Sequence, residues 1–246
     1  MSESSMGNGK SGTVALVGAG EYLPAMEPVD RALLAYLDTP ARVVVLPTAS
    51  APDGPGVPQR WTQMGIDHFT RLGAEVQPVM LLTHEDAENP ALAEQIAWAN
   101  FVYMSGGKPR YLLETLQGTP AWQAILRIHE SGGVVTGCSA GAMVLGGELF
   151  DFPQIWRTWP ALGFVRGILV IPHFDEIPVG VSSLAGKWWR GSTLVGIDGM
   201  TALVGHNGRY TVSGRGDVTV MTRGGRMRYH DRQQVVLPER PPPYHQ

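Results

Sequence analysis

The sequence predicts an α/β fold in which a mostly parallel β-sheet is covered by helices. Short β-branched runs alternate with longer amphipathic stretches along the first half of the chain. Such alternation is typical of strands joined by crossover helices that lie on both faces of a sheet. In open sheets of this kind ligands bind beyond the carboxyl ends of the strands, so functional residues are expected just after each run.

Five runs are predicted to form strands, and the stretches between them to form helices. The strand runs are TVALV at 13–17, RVVVLP at 42–47, EVQPVML at 75–81, FVYM at 101–104 and GVVTG at 133–137. The helical patterns are VDRALLAYL at 29–37, RWTQMGIDHFTRLG at 60–73, ALAEQIAWA at 91–99 and AWQAILRIHESGG at 121–133. The glycines that close the last pattern suit a helix end.

The sequence changes in character beyond residue 150. Residues 150–164 are aromatic and interrupted by prolines, which predicts a structured loop rather than a regular element. Strand-like runs follow at 167–174 and 193–198. From about residue 200, short strands alternate with turns of the types HNG and RGG, which predicts a C-terminal antiparallel meander.

The composition fits one domain with a large core, since 43% of the 246 residues are hydrophobic. We expect a flexible N-terminus over residues 1–12, a single α/β domain over 13–232 and a loose Pro-rich tail over 233–246. No apolar run resembles a signal peptide or a membrane span, so a cytoplasmic protein is predicted. Sheet edges and the aromatic segment are compatible with a homodimer.

The charge pattern points to a small-molecule partner. The formal net charge is -3, and the basic residues are scattered, so neither nucleic acid nor an anionic membrane surface is expected to bind. The single cysteine, Cys138, excludes an internal disulfide and a multi-cysteine zinc site.

The strongest chemical signal is GVVTGCSAGAMVLGG at 133–147, where a Gly-x-Ser-x-Gly motif is centred on Ser139. A buried run precedes the serine and a helical pattern follows it, as in a nucleophile elbow. Gly137 and Gly141 allow close passage of the backbone, and the amide of Ala140 can stabilise an oxyanion. The alternative is that small residues here only permit close helix–strand packing. Cys138 is a rival nucleophile, but its position before the centre of the turn predicts a buried side chain.

Two further segments are candidates to complete a site around this serine. Gly106 and Gly107 follow the preceding strand, where an amide can face Ser139 across adjacent strand ends; an ordinary turn explains them equally well. Among seven histidines, His173 stands out because it ends the apolar run GILVIPHF at a carboxyl strand end. We therefore predict His173 as the base, although a histidine in such a position is often structural.

The sequence resembles the dipeptidase E and cyanophycinase group of serine peptidases, family S51. This family is related in fold to class I glutamine amidotransferases. The matching segments are VVVLPTAS at 43–50, SGGKPRYLLETL at 105–116, TGCSAGAMVLG at 136–146, PHF at 172–174 and GIDGMTALVG at 196–205. The resemblance implies a flavodoxin-like three-layer sandwich. It also implies peptide or amide hydrolysis through an acyl-enzyme, without metal or organic cofactor. The implied roles are Ser139 as nucleophile, His173 as general base, and the amides of Gly107 and Ala140 as oxyanion hole.

The chain departs from the family where the acid of the triad is expected. The position that usually holds a glutamate after the TLVGID run is occupied by Gly199. Asp198 is adjacent and is our predicted third member, while Asp175 and Glu176 are nearby substitutes. Without an orienting carboxylate the enzyme would be slow, or the chain would be an inactive family member that binds a ligand.

A second departure concerns the substrate. The arginine run that follows the strand-end histidine in cyanophycinase-like members is missing, so cyanophycin is not the expected substrate. The expected substrate is a small peptide or amide, and Arg110, Trp156 and Trp159 are candidate residues for binding it.

Two other hypotheses stay open at the level of the sequence. The segment VGAGEYLP at 17–24 resembles part of a Gly-rich nucleotide loop but lacks the last glycine of the fingerprint. An ordinary α/β-hydrolase would use Asp175 or Asp198 with His206 or His230, although the order of segments fits poorly.

Overall fold

A computed structural model of the chain describes residues 12–151, 154–178 and 193–237. Residues 1–11 of the expected flexible N-terminus and residues 238–246 of the expected tail lie outside these ranges. Within the described ranges, no helix combines the length and hydropathy that a membrane span requires.

The regular elements of the described residues follow the predicted alternation in the first half of the chain. The strands are β1 (Thr13–Val17), β2 (Arg42–Leu46), β3 (Glu75–Pro78), β4 (Phe101–Met104), β5 (Val134–Cys138), β6 (Glu148–Asp151), β7 (Gln154–Pro160), β8 (Ile168–Ile171), β9 (Thr193–Ile197), β10 (Thr201–His206), β11 (Arg209–Gly214), β12 (Val218–Thr222), β13 (Gly225–Tyr229) and β14 (Gln234–Val235). The helices are α1 (Glu27–Leu34), α2 (Val57–Arg71), α3 (His84–Glu88), α4 (Pro90–Ala97), α5 (Pro109–Leu116), α6 (Pro120–Glu130) and α7 (Ala140–Leu145).

The main sheet has eight strands in the order β3-β2-β4-β5-β1-β10-β11-β14. It is parallel from β3 to β1 and antiparallel from β1 onward. The pairing of β1 with β5 places Val17 opposite Cys138, and β4 places Met104 opposite Gly137. The carboxyl ends of three neighbouring strands therefore meet around the residue that follows β5.

The central strands are buried on both faces because helices cover each side. Val43 and Val45 belong to a core with α1 and α2, whereas Val44 and Leu46 belong to a second core with α3 to α7. Successive side chains of a strand point to opposite faces, so a continuous apolar run serves both cores. The predicted three-layer α/β arrangement with a mostly parallel central sheet is confirmed.

A second, six-stranded sheet was not predicted. Its order is β13-β12-β9-β8-β6-β7, and its strands add to the core that α3 to α7 build. The predicted C-terminal meander is therefore divided: β10, β11 and β14 extend the main sheet, while β12 and β13 belong to the second. The tail was expected to be loose from residue 233, yet Gln234–Val235 pair with β11.

The prediction of a loop over residues 150–164 was wrong, because this stretch contains the end of β6 and all of β7. Aromatic residues such as Phe150, Trp156 and Trp159 have high strand propensity when a neighbouring strand is present. β7 lies at the edge of its sheet and ends at Pro160. A proline is tolerated there because its missing N–H leaves no ladder bond unmade.

Candidate active site

Ser139 occupies the sharp turn between β5 and α7, with φ 50° and ψ −107°. Its N–H donates to the carbonyl of Val17 at 2.9 Å, and its carbonyl accepts from the N–H of Met143 at 3.0 Å. The strained backbone of this residue is thus held by β1 on one side and by α7 on the other. Such a conformation lifts the side chain out of the strand end.

The glycine before this turn is required by close approach. A Cβ at Gly137 would lie 2.3 Å from the carbonyl carbon of Gly141, well inside contact distance. The first turn of α7 therefore packs directly on the last residues of β5, as the Gly-x-Ser-x-Gly spacing predicts.

His173 faces Ser139 from the second sheet. It follows β8 in the left-handed region, with φ 50° and ψ 38°, and its Nε2 lies 3.3 Å from Ser139 Oγ. The predicted nucleophile and the predicted base are brought together across the junction of the two sheets, at the carboxyl ends of β5 and β8. This separation is slightly longer than the range of about 2.6–3.2 Å over which a base activates a hydroxyl, as is common in the absence of substrate, and such contacts often shorten when substrate binds.

The carboxylate beside His173 is that of Glu176, not that of Asp198. Glu176 Oε1 lies 3.1 Å from His173 Nδ1, three residues along the same turn. The imidazole side chain is 42% exposed and the carboxylate side chain 70% exposed, so solvent screens this pair.

The Asp198 carboxylate contacts the residue that precedes β12 and an arginine of β13. Its Oδ2 accepts a hydrogen bond from the N–H of Asp217 at 3.0 Å and lies 3.8 Å from Arg228. Burial raises the pKa of the Asp198 carboxyl. Asp175 accepts from the N–H of Gly199 at 2.7 Å. The expectation that Asp198 orients the histidine is corrected, and Glu176, an alternative noted from the sequence, takes that place.

The two amide groups predicted to form the oxyanion hole lie in turns next to Ser139. Ala140 is the first residue of α7, and Gly107 lies in the turn between β4 and α5. No hydrogen bond to either N–H group is found among the described residues. A Cβ at Gly106 would lie 3.3 Å from Ser139 Cβ, so this turn stands directly beside the nucleophile.

Cys138 is fully buried behind the turn. Its Sγ donates to Glu21 Oε2 at 2.9 Å. Burial, and then the neighbouring Glu21, raise the pKa of the Cys138 thiol well above its usual range. The thiol is therefore uncharged near neutral pH and points away from solvent, which makes it a poor nucleophile. Glu21 is a feature of the site that the sequence reasoning missed.

The predicted substrate residues Arg110 and Trp159 are brought together. The guanidinium of Arg110 lies 4.8 Å from the centre of the Trp159 ring and 2.8 Å from Glu114. Asp151 lies 3.6 Å from the same guanidinium. Trp156 belongs to β7, but its side chain lies outside the described part of the structure.

The other histidine hypothesis is not supported by the geometry. His206 Nδ1 lies 2.9 Å from Thr13 Oγ1 at the opposite end of β1, and His230 Nδ1 lies 2.6 Å from Asp217. In the segment proposed as a nucleotide loop, Glu21 and Tyr22 are buried against the core. No group of three metal-ligating side chains occurs among the described residues.

Comparison with known proteins finds similarity to peptidases and to a cyanophycinase. A peptidase from an acI-B1 Actinobacterium has a crystal structure that superposes with a TM-score of 0.83 at 32% identity, covering 92% of this chain and 96% of that one. A cyanophycinase of Synechococcus elongatus is 29% identical over 196 residues, or 74% of this chain and 58% of that protein. An uncharacterized peptidase of Pasteurella multocida is 29% identical over 118 residues, or 45% of this chain and 55% of that protein. The chain spans less than two thirds of the length of these two curated relatives.

The sequence pattern of peptidase family S51 matches residues 14–209, from the second residue of β1 to the first residue of β11. The match includes Ser139, His173 and Glu176, together with the Gly106–Gly107 turn. The chain belongs to peptidase family S51.

Proposed function

We propose that this chain is a serine peptidase that hydrolyses small peptides or related amides through an acyl-enzyme on Ser139. The observation that carries the proposal is the 3.3 Å approach of Ser139 Oγ to His173 Nε2 at a strained strand–helix turn. Membership of a peptidase family supports the same reaction class.

In the first half-reaction, Ser139 Oγ attacks the carbonyl carbon of the scissile bond while His173 Nε2 takes the hydroxyl proton. The carbonyl oxygen becomes an oxyanion that accepts hydrogen bonds from the N–H groups of Gly107 and Ala140. The protonated imidazole then gives its proton to the departing amine, and the acyl group remains on Oγ. Water attacks this ester in the second half-reaction with the same base, releasing the acid and restoring the serine.

Glu176 supports the base in this scheme. Its carboxylate accepts a hydrogen bond from His173 Nδ1–H, which leaves Nε2 unprotonated and facing Ser139. The alternative of an inactive family member rested on the glycine at position 199. A carboxylate 3.1 Å from the imidazole removes the main reason for that alternative.

Substrate recognition is proposed on the Arg110 side of the site. Arg110 is the second residue of α5, three residues after Gly107, and its charge suits a substrate carboxylate. A substrate would have to compete with Glu114 and Asp151 for the same guanidinium. We therefore expect peptides with an acidic or free carboxyl group to be favoured over neutral blocked ones.

Labelling with a fluorophosphonate tests the proposal, because this reagent reacts with a serine only when a base activates it. We expect rapid adduct formation on wild type at Ser139, shown by mass mapping, and none on Ser139→Ala. Peptide hydrolysis measured against the Ser139→Ala background should follow the same order.

Ser131→Ala is the matched control, since it removes an exposed serine at the end of α6 and leaves the reacting atoms in place. It should label at Ser139 close to the wild-type rate. Absence of labelling in wild type, or an adduct at another residue, would overturn the proposed mechanism.

A further inference from the structure

Glu21 is a buried carboxylate that the proposed reaction leaves without a role. It lies in the turn between β1 and α1, in the segment that resembles part of a nucleotide loop, and is only 7% exposed. A carboxylate is costly to bury unless its oxygens are paired. Both of its oxygens are paired here, and with two parts of the candidate site.

One carboxylate oxygen of Glu21 binds the turn that contains Gly106 and Gly107, here called the oxyanion turn. The other binds the residue before Ser139, in what is here called the nucleophile turn. Glu21 Oε1 accepts from the N–H of Gly106 at 2.9 Å, and Oε2 accepts from Cys138 Sγ at 2.9 Å. Because the thiol keeps its proton, it acts as donor to the second oxygen. A single side chain thus connects the carboxyl ends of β1, β4 and β5.

The hydrogen bond from the Gly106 N–H to Glu21 leaves the next amide, that of Gly107, free to bind the oxyanion. At the far side of the turn, the N–H of Lys108 donates to the carbonyl of Ala49 at 2.7 Å. Glu21 occupies the N–H of Gly106, so the amide of Gly107 is left between two bonded neighbours. Fixing the peptide groups on both sides restricts the direction of that free N–H.

We propose that Glu21 is a positioning residue for the oxyanion hole: it holds the Gly106 peptide so that the Gly107 N–H faces the carbonyl attacked by Ser139. A Cβ at Gly106 would lie 2.8 Å from Glu21 Oε1 and 3.3 Å from Ser139 Cβ, so the carboxylate and the nucleophile flank one peptide group. The inference rests on the proposed function, because it assigns the support of that same site.

Two conservative variants of Glu21 separate the effect of side-chain length from the effect of its negative charge. Glu21→Asp keeps the charge but withdraws the carboxylate by one methylene, whereas Glu21→Gln loses the charge and keeps an oxygen at the distance of Gly106. We expect Glu21→Asp to lower kcat on a peptide substrate about 10- to 100-fold with KM within about threefold, the signature of lost transition-state stabilisation. Glu21→Gln should stay within about threefold of wild type in both parameters.

Asp30→Asn is the matched control. Asp30 is a fully buried carboxylate in α1 that lies 2.8 Å from His68 Nε2, remote from the oxyanion turn in its contacts. It should lower the melting temperature without lowering kcat of the folded enzyme. A purely structural role of Glu21 would produce that same pattern.

The wild-type labelling rate distinguishes failure of the positioning role from failure of the proposed serine mechanism. If wild type reacts at Ser139 while Glu21→Asp retains wild-type kcat, or Glu21→Gln is as slow as Glu21→Asp, the positioning role is overturned and the serine mechanism stands. If wild type itself does not react, the proposed mechanism falls and this inference falls with it.

Discussion

The two halves of the candidate site differ in how they are held. Ser139 follows a strand of the main sheet, and its neighbours Cys138 and Ala140 are buried. His173 follows a strand of the second sheet and pairs with Glu176, and the two side chains are 42% and 70% exposed. The nucleophile half is therefore fixed by backbone hydrogen bonds and packing, while the base half depends on a screened side-chain pair. Variants that act on one half at a time test this comparison.

The largest loss of activity is expected when the proposed base, His173, is removed. His173→Ala should lower the rate of peptide hydrolysis and of fluorophosphonate labelling by at least about 1000-fold, because it removes the imidazole placed to take the serine proton. Rates are measured at saturating substrate on folded protein. His206→Ala is the control, since that imidazole contacts Thr13, and it should leave the rates unchanged. Equal losses in the two variants would contradict the assignment.

The next effect concerns the oxyanion turn in the buried half. Gly107 has φ 143°, and a Cβ there would lie 2.2 Å from the carbonyl oxygen of Ala49. Gly107→Ala should shift the turn and lower kcat by about 100-fold. It should also lower the free energy of unfolding by about 1–3 kcal/mol, measured by urea denaturation. Gly54→Ala, at φ 112° with open space, shows how much comes from backbone strain alone. Similar kcat values in both variants would refute a special role for this turn.

A smaller effect is expected at the exposed acid. Glu176→Ala should lower kcat only about two- to fivefold at low salt, the range of an exposed ion pair. The difference from wild type should shrink in 1 M salt, where the Debye length is about 3 Å. Glu176→Gln retains a hydrogen-bond acceptor, so its kcat should lie between those of wild type and Glu176→Ala. A loss of about 1000-fold, as for a buried triad acid, would show that the base half is as rigid as the nucleophile half.

The smallest effect is expected at the buried thiol. Iodoacetamide should not inactivate the native enzyme near pH 7, because burial keeps the Cys138 thiol protonated and inaccessible. Activity is followed during incubation, and urea-unfolded protein is the positive control for alkylation. Rapid inactivation of the folded enzyme, blocked by prior labelling of Ser139, would show that the thiol reaches the site.

The predictable parts of the molecule are those with local signals. Four of the five strands of the parallel region, β1, β2, β4 and β5, carry mostly apolar runs, whereas β3 is the more polar EVQP. Each of the five was located from the sequence. The turn around Ser139 was placed by glycine spacing between a strand and a helix. His173 was selected because it ends an apolar run. The turn at Asn207 and Gly208, with φ of 51° and 71°, joins β10 to β11 as the HNG signal predicts.

The parts that were missed depend on contacts between distant segments. The strand propensity of residues 154–160 is expressed only because β6 lies beside them. The succession of short strands after residue 200 does not show, from the sequence, which hairpin pairs with which of the two sheets. Glu21 is a single acidic residue among small and apolar ones, and that contrast is the one signal in the sequence that marks it.

By itself the sequence determined the α/β class, the turn that carries Ser139 and the histidine that faces it. These follow from periodicity and glycine placement, which act within a few residues. Tertiary structure alone decided that Glu176 rather than Asp198 lies beside His173, and that Glu21 joins the oxyanion turn to the nucleophile turn. Glu21 meets Gly106 and Cys138 only because separate strand ends are packed together. Glu176 is local to His173, but which of the nearby carboxylates lies within hydrogen-bond distance of the imidazole is not specified by sequence spacing.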